Sequence, residues 1–377
     1  MRVVALGNPE GARIGYVQQA LARLGRPPAE VVPWLAFLRD PARLGEALAG
    51  EPSLLRIESC GQDWSVEREL IAQGAEAELG AAEPLSADAA RALEEDRGRI
   101  RHVRQRHAGF LQALQAIQGL LDEHPATRVM NPPASIALSF DKRACHQACA
   151  SAGVPVPPAL GEVRDYAELR EGMRAAGLRR VFVKLATASS ASGVVALATQ
   201  GAKVAAHTTV ELVREGAASR FYNSLEVRRY ADEADVATIV DALCREGVQV
   251  EAWIPKASLG ERSCDLRQVV IAGRAAHAVV RTSATPLTNL HLANPRGELS
   301  ALRALIGDAR FAEVQRACEA AHRAVGAPLY SGVDVCVARR THDPYVLEVN
   351  AFGDLLPRVE VDGRDTYAAE LLAAFAD

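Results

Sequence analysis

Short apolar runs alternate along the chain with stretches in which apolar positions recur every three or four residues. The first pattern is typical of β-strands and the second of amphipathic helices. Residues 2–6 predict a strand, and the residues from there to about Gly25 predict a loop and a helix. Residues 86–123 form a long, charged stretch with a helical pattern, which Ser86 would cap. Its recurring apolar positions are Phe110, Leu111, Leu114, Ile117 and Leu121.

The segment Asn131-Pro132-Pro133 interrupts this helical pattern and predicts a domain boundary. Beyond it, residues 141–152 predict a helix, and a proline-rich segment follows at residues 153–158. Strands and helices then alternate to the end. A chain of 377 residues of which 49% are hydrophobic is long enough for two or three domains, each with its own core. The sequence therefore predicts a multidomain protein of mixed α/β class.

Two strand-like runs near the C-terminus, residues 332–337 and 345–350, carry side chains with oxygen atoms. Because side chains alternate between the faces of a strand, Asp334 lies on one face of its strand, and Glu348 and Asn350 share one face of the other. Two carboxylates and an amide oxygen suit Mg²⁺ held between protein and phosphate groups, and Mn²⁺ is an alternative ion. The competing interpretation is a solvated polar face of an edge hairpin.

A second hairpin is predicted from residues 265–271 and 275–281, joined by the turn Ala272-Gly273-Arg274. It carries Arg267 and Arg281 on opposite strands. Two guanidinium groups directed into one cleft could clamp a phosphate group. Either arginine could instead be a surface charge in this arginine-rich chain.

A third apolar strand, residues 181–184, ends in Lys184 and continues into a loop of small residues at 186–193. Small side chains let backbone N–H groups approach a phosphate, with Lys184 as a point charge behind them. A flexible linker is the alternative, and the apolar strand at residues 194–197 argues against it. Lysine is rare in this chain: of its 43 basic residues only Lys142, Lys184, Lys203 and Lys256 are lysines.

Composition and charge exclude several classes of protein. A net charge of −4 and a pI near 6.2 provide no positive field for nucleic acids or anionic membranes. We find no signal-peptide pattern and no apolar run long enough to span a membrane. The seven scattered cysteines are typical of reduced thiols, and we expect a cytoplasmic protein.

In their order along the chain, these segments resemble the ATP-grasp superfamily, nearest the branch of ribosomal-protein glutamate ligases and glutathione synthetase. The resemblance covers residues 131–357. It implies two subdomains that clasp ATP, at 131–230 and 231–377, preceded by an N-terminal α/β domain at 1–130. The motifs that carry it are Asp141-Lys142, Gly-x-Pro-x-Pro at 153–157, Val183-Lys184 with its small-residue loop, residues 250–255, Asp265-Leu266-Arg267, Arg281, Asn289-Leu290-His291, Gly332-Val333-Asp334 and Glu348-Val349-Asn350.

The resemblance also implies roles for individual residues. Residues expected to bind ATP and its metal are Lys142 and Lys184 at the phosphates, Ser189, Ser190 and Gly193 in the loop, Glu251 with the backbone of Ala252, Trp253 and Ile254 at adenine and ribose, and Asp334, Glu348 and Asn350 at Mg²⁺. Arg281 would bind the transferred phosphate. Arg267, Asn289 and His291 would line the same cavity nearer the acceptor, and His291 could equally be structural.

Two segments depart from the pattern of that branch. The branch usually has Lys-Pro before a glycine-rich loop, whereas here Leu185 replaces the proline and Gly193 is the one matching glycine. The sequence therefore does not decide whether this loop closes as a lid. The segment 350–357 also differs from the common Asn-x-x-Pro-Gly ending, which indicates a specialised acceptor site.

The expected activity is ADP-forming ligation of a carboxylate to an amine through an acyl phosphate, on an amino acid or peptide. The alternatives are a phosphotransferase, a ligase that uses another nucleophile, or a non-catalytic ATP-binding module. Weak candidates for substrate contacts in the N-terminal domain are Asn8, Glu10 and Trp34. A homodimer would be ordinary for an enzyme of this size.

Overall fold

Three β-sheets, each covered by helices, make up the described part of the protein. The computed structural model describes residues 1–61, 63–80, 84–189, 191–201, 203–216, 218–352, 356 and 358–376. Parallel strands build the first sheet and antiparallel strands the other two. The predicted mixed α/β class is confirmed.

The N-terminal sheet has the parallel strand order β2-β1-β3-β4. The strand predicted at residues 2–6 and the helix after it are confirmed as β1 and α1. The strands are β1 (Arg2–Gly7), β2 (Glu30–Pro33), β3 (Ser53–Ile57) and β4 (Arg128–Val129). The helices are α1 (Ala12–Arg23), α2 (Trp34–Arg39), α3 (Ala42–Leu48), α4 (Trp64–Gln73), α5 (Ala87–Arg91) and α6 (Val103–Glu123), with a 3₁₀ turn at Gly74–Glu76.

The helical stretch predicted at residues 86–123 is two helices, and in this respect the prediction is wrong. Ser86 caps α5 as expected by accepting a hydrogen bond from the Ala89 N–H, but the chain leaves the helix until α6 begins. Between them Gly98 has φ +79°, and its carbonyl accepts a hydrogen bond from the Asn223 N–H. This backbone pairing with a distant strand competes with the local helical preference and breaks the helix.

The second sheet is antiparallel, with the order β8-β7-β6-β5-β9. Helices α9 and α10 pack on it. The predicted domain limit at residue 230 falls at the end of β8, while β9, further along the chain, pairs with β5. The limits at residues 130 and 230 stay predictions. The elements are β5 (Arg180–Leu185), β6 (Val194–Gln200), β7 (Lys203–Glu215), β8 (Ala218–Tyr230), β9 (Val248–Ala252), α9 (Tyr166–Ala175) and α10 (Glu233–Arg245).

The third sheet has the order β13-β12-β11-β14-β15, and β10 pairs with β11. Both predicted hairpins are confirmed, as β11–β12 and β14–β15. The strands are β10 (Ser258–Leu259), β11 (Arg262–Ile271), β12 (Arg274–Ser283), β13 (Arg296–Gly297), β14 (Tyr330–Val337) and β15 (Pro344–Asn350). The remaining helices are α7 (Pro133–Phe140), α8 (Lys142–Ser151), α11 (Leu299–Ile306), α12 (Asp308–Ala324) and α13 (Thr366–Ala376), with a 3₁₀ turn at Leu290–Leu292.

The C-terminal helix α13 joins the first and third sheets. Its buried residues Tyr367 and Leu371 share one apolar core with α1 and β11. The segment after β15 reaches the opposite face of the N-terminal sheet, where Phe352 packs in the core around Trp34. The ends of the third sheet are therefore anchored on both faces of the N-terminal domain. Across the described residues, we find no helix that is both long and apolar enough to cross a bilayer.

Helices α4 and α6 cross at close range because glycines lie at the contact: Gly109 on α6, and Gly74 at the start of the 3₁₀ turn that directly follows α4. A Cβ atom added at Gly109 would lie 1.9 Å from the Leu70 carbonyl oxygen, and one at Gly74 would lie 2.0 Å from the Gln105 carbonyl oxygen. Such an atom could be accommodated only if the two helices moved apart.

We therefore predict that Gly109→Ala lowers the free energy of unfolding by about 1–3 kcal/mol, the usual cost of overpacking. Gly119→Ala on the same helix is the matched control. A Cβ there meets nothing within 4 Å, so its better helix propensity should raise stability by up to about 1 kcal/mol. Urea unfolding of both variants measures the difference, and equal effects would contradict the close crossing.

Candidate functional site

A cavity of about 1010 Å³ lies where the three sheets meet. Strands of the second and third sheets contribute side chains to its wall, and so do loops and helices around the N-terminal sheet. Most of the predicted site residues reach it. Those that line it are Lys142, Lys184, Ser189, Glu251, Ala252, Ile254, Arg267, Arg281, Asn289, His291, Asp334, Glu348 and Asn350.

The predicted oxygen-bearing hairpin has the expected geometry. In the register of β14 and β15, Asp334 lies directly opposite Glu348, and Asn350 lies opposite Gly332. A pair of directly opposite residues shares one face of a sheet. The Asn350 amide nitrogen donates to the Gly332 carbonyl at 3.1 Å, so its Oδ1 is the atom suited to a ligand. The three side chains therefore face the cavity together.

Asp334 is held by both predicted arginines. Arg267 Nη2 donates to Asp334 Oδ2 at 3.1 Å, and Arg281 Nη1 lies 3.1 Å from Oδ1. Burial alone would raise the pKa of Asp334, but the two guanidinium charges outweigh it and hold that pKa below its ordinary value. The two arginines do converge on one cleft, where a carboxylate of the protein now takes the place that was predicted for phosphate.

Asp265 extends this cluster and was given no role from sequence. Arg281 Nε donates to its Oδ1 at 2.7 Å, and Lys256 Nζ donates to its Oδ2 at 3.0 Å. Lys256 also donates to the Thr288 hydroxyl at 2.7 Å. The rarity of lysine in the chain is the signal that could have identified Lys256, whereas the pairing of Asp265 depends on contacts between distant segments.

The two lysines predicted at phosphates each face a carboxylate across the cleft. Lys142 Nζ lies 3.1 Å from Glu348 Oε1 and also donates to the Ala188 carbonyl. Lys184 forms an ion pair with Glu251. Burial lowers the pKa of Lys184, yet the charge of Glu251 outweighs burial and raises it. Lys184 is therefore protonated at neutral pH.

The small-residue loop at 186–193 is fastened at several points. Lys142 bonds to Ala188 as described, and the Thr209 hydroxyl donates to the Ala191 carbonyl at 2.7 Å. Gly193 has φ +63°, and a Cβ there would lie 2.4 Å from Leu185 Cδ1. Gly193 is therefore required by packing against the residue that replaces the usual proline. Ser190 lies outside the described residues.

Two of the predicted side chains, both of them tryptophans, do not line the cavity. Trp253 does not line the cavity; its ring lies 5.4 Å from that of Phe182. Trp34 is fully buried and donates to the Glu58 carbonyl, so its interpretation as a substrate contact is wrong, because the ring completes the core of the N-terminal domain. Asn8 and Glu10 do line the cavity. All seven cysteines are buried free thiols.

The loops and helices around the N-terminal sheet contribute more to the cavity than the sequence indicated. Arg13 on α1, Glu58 after β3 and Tyr367 on α13 all line it. None was singled out, because each is an ordinary residue of a local pattern and only the packing of α13 against the first sheet brings them together.

Comparisons with known proteins identify solved structures of the same fold. No family model matches the chain, and no curated protein matches it. D-cycloserine synthetase DcsG is 16% identical, with 100% of both chains covered and a TM-score of 0.58. The ATP-grasp ligase PsnB is 17% identical, with 99% of both chains covered and a TM-score of 0.55. D-alanine–D-alanine ligase from Bacillus anthracis is 11% identical, with 100% of this chain and 96% of the other covered and a TM-score of 0.52.

The chain therefore has the ATP-grasp fold, and the resemblance found in the sequence is confirmed at that level. The match extends over the whole chain, including the N-terminal 130 residues that the sequence motifs did not cover. At these identities the comparisons show the fold and leave the activity undefined.

Asp265→Asn should be among the most destabilising single changes in the site. It leaves Lys256 and Arg281 buried with less counter-charge, which costs about 3–5 kcal/mol. The control is Asp308→Asn, whose ion pair with Arg303 is largely exposed and is worth about 0.5 kcal/mol or less. Urea unfolding at pH 7 measures both, and similar losses would contradict the buried cluster.

The difference in stability between wild type and Asp265→Asn should depend on pH. Burial would raise the pKa of Asp265, but Arg281 and Lys256 outweigh it and hold that pKa well below its ordinary value. A depressed pKa stabilises the fold fully above the unfolded value of about 4. The stability difference between wild type and Asp265→Asn should therefore be full at pH 7 and shrink as the pH falls below about 4. A difference that grows in acid would contradict the ion pairs.

Proposed function

We propose that this protein is an ATP-dependent ligase that joins a carboxylate to an amine through an acyl phosphate and releases ADP. The observation that carries the proposal is one cluster of alternating charges between two antiparallel sheets. Five cations and four carboxylates face the same cavity: Lys142, Lys184, Lys256, Arg267 and Arg281, with Glu251, Asp265, Asp334 and Glu348. Such a set can neutralise polyphosphate and orient a metal ion in one place.

The cavity has an apolar wall beside the charges, as an adenine nucleotide requires. Phe182, Val194 and Leu287 line it, and Phe182 lies opposite Glu251 in the register of β5 and β9. Lys184 follows two residues later on the same face of β5. We infer that adenine lies against the apolar wall near Glu251 and Ile254, and that the phosphates extend past Lys184 toward Lys142.

The residues fit a magnesium ion in the chemistry of their donors. Glu348 and Asn350 offer oxygen atoms to the cavity, and Asp334 would join them by exchanging one of its arginine contacts. The described residues hold no group of three or more His, Cys, Asp or Glu side chains arranged for a metal, so nucleotide phosphates would have to complete the coordination. When bound, Mg²⁺ would supply neutralising charge at the β- and γ-phosphates.

The proposed reaction has two steps. A carboxylate oxygen of the substrate attacks the terminal phosphorus of ATP, the bond to ADP breaks, and an acyl phosphate forms. The amine then attacks the acyl carbon, inorganic phosphate leaves with the electrons of the C–O bond, and the amine loses a proton. Lys142, Lys184 and Arg281 would offset charge on the transferred group, and the fastened loop at 186–193 would help to exclude water.

The comparison structures support this class of reaction and the kind of substrate. PsnB was solved with a precursor peptide and AMPPNP, and with a minimal precursor, Mg and ADP. The D-alanine–D-alanine ligase from Bacillus anthracis was solved with ATP. We therefore propose an amino acid or a peptide as substrate.

We expect MgATP to be hydrolysed only when a carboxylate substrate is present, with the amide product formed when an amine is added. Hydroxylamine in place of the amine should trap the acyl phosphate as a hydroxamate. Glu348→Gln keeps the size of the side chain but removes a charged oxygen from the proposed metal site, so turnover should fall roughly a hundred- to thousandfold. ADP release and hydroxamate are followed with pooled amino acids and peptides.

The matched control is Glu171→Gln, an exposed position on α9 outside the cavity, which should retain full activity. ADP release without hydroxamate or amide would favour a phosphotransferase. Nucleotide binding that no pool member converts into turnover would contradict the ligase and favour an ATP-binding module.

A further inference from the structure

At the N-terminal end of the cavity, one anionic and one cationic side chain each keep a buried atom without a hydrogen-bond partner among the described residues. Glu58 is 1% exposed, and its Oε2 is buried without a hydrogen bond among the described residues. Arg13 Nη1 is likewise buried and unbonded, and Arg13 forms no ion pair in the described part of the chain. Both residues line the cavity. Around Asp265 and Asp334 the buried charges are paired, so the two unbonded buried atoms here need an explanation.

The backbone around Glu58 is held firmly, which makes an accidental orientation of its carboxylate a poor explanation. Its N–H donates to the Leu6 carbonyl at 2.8 Å, and its carbonyl accepts from Trp34 at 2.9 Å. Its Oε1 accepts from Arg56 Nε at 2.6 Å. Arg56 in turn is fully buried between the rings of Tyr330 and Tyr367. The unpaired Oε2 is therefore preorganised by the atoms around it.

Arg13 and Glu58 lie at a topological switch point of the parallel sheet, which is a common position for ligand binding. Strand β1 has β2 on one side and β3 on the other, so the connections that leave β1 and β3 diverge and open a crevice at the carboxyl ends of the strands. Arg13 lies in the first turn of α1, just after β1, and Glu58 follows β3. Asn8 Nδ2 donates to the Gly61 carbonyl at 3.0 Å and ties the two loops together.

Arg13 and Glu58 both act on Tyr367, but they form no ion pair with each other in the described part of the chain. Burial is the main reason that the pKa of Tyr367 is raised; of the charges around it, Glu58 raises that pKa and Arg13 lowers it. Helix α1 has no acidic residue in its first turn and no side-chain cap, so its N-terminus adds positive potential beside Arg13. An anionic group fits at Arg13 and a cationic group fits at Glu58.

We propose that this crevice binds the zwitterionic head of a free amino acid, with the α-carboxylate at Arg13 and the α-ammonium group at Glu58. The proposal rests on the ligase function above and names one of its substrates. An amino acid held by both of its α groups has only its side chain left to react, so a side-chain carboxylate or amine would extend toward Arg281 and Lys184.

Equilibrium binding tests the crevice without turnover. Isothermal titration calorimetry would use the full chain with Mg²⁺ and a non-hydrolysable ATP analogue. The probes are L- and D-forms of glutamate, aspartate, lysine and ornithine, each beside its N-acetyl and its C-terminal amide derivative. At least one free amino acid should bind roughly ten- to hundredfold more tightly than both of its blocked derivatives. If none does, the proposal is wrong.

Two variants assign the ends of the ligand. Glu58→Gln should abolish the preference for the free amino acid over its N-acetyl derivative, and Arg13→Gln should abolish the preference over the amide. A merely structural change would weaken all ligands equally and leave both preferences intact, which would overturn the assignment. Arg13 is partly exposed, so its variant should fold even if Glu58→Gln does not. Arg43→Gln, whose side chain is 63% exposed on α3 outside the cavity, is the control.

The outcomes separate this proposal from the ligase function. ADP release that an amino acid stimulates, with the affinities of both variants unchanged, would leave the ligase standing and refute the crevice. Selective binding that both variants abolish, with no ADP release, would support the crevice and refute the ligase. The affinity for the ATP analogue should be unchanged in both variants.

Discussion

Asp265 and Asp334 are buried carboxylates whose charges must be compensated inside the protein, and the architecture of the cleft follows from that requirement. Taking a carboxylate out of water costs several kcal/mol unless cations and hydrogen bonds replace the lost solvent. Arg281 on β12 forms ion pairs with both of them. Asp265 lies on the neighbouring strand β11, and Asp334 lies on β14, two strands away. The ion pairs therefore fix strands β11, β12 and β14 relative to one another at the place where the chemistry is proposed.

The same pairing explains how a nucleotide site can be stable before the nucleotide binds. Lys142 and Lys184 have carboxylate partners in Glu348 and Glu251, so no cation of the pair is left buried without a counter-charge. A polyphosphate and a metal ion would exchange these partners: phosphate for the lysines and the metal for Glu348. Because the charged groups are already in place, the cost of reorganisation would then be small, as electrostatic catalysis requires.

The N-terminal domain is joined to this cleft by a second set of buried charges. Arg56 on β3 forms an ion pair with Glu370 on α13, and burial is the main reason that the pKa of Glu370 rises to about 7. Here compensation is incomplete, because Glu58 keeps an unbonded oxygen. The end of the cavity at Asp265 and Asp334 is thus neutralised by ion pairs, whereas the end at Arg13 and Glu58 has an unbonded donor and an unbonded acceptor. This difference is expected if two different ligands bind in one cavity.

Local pattern in the sequence determined the strands, most of the helices and the hairpins that carry Arg267, Arg281, Asp334 and Glu348, because alternation and spacing depend on near neighbours alone. Which charges pair was decided by the tertiary structure, since Asp265 and Lys256 meet only when their loop and strand pack. Tertiary contacts also broke the helix predicted at 86–123 and buried Trp34. The crevice at Glu58 likewise arises from contacts between segments far apart in the chain, which no local pattern encodes.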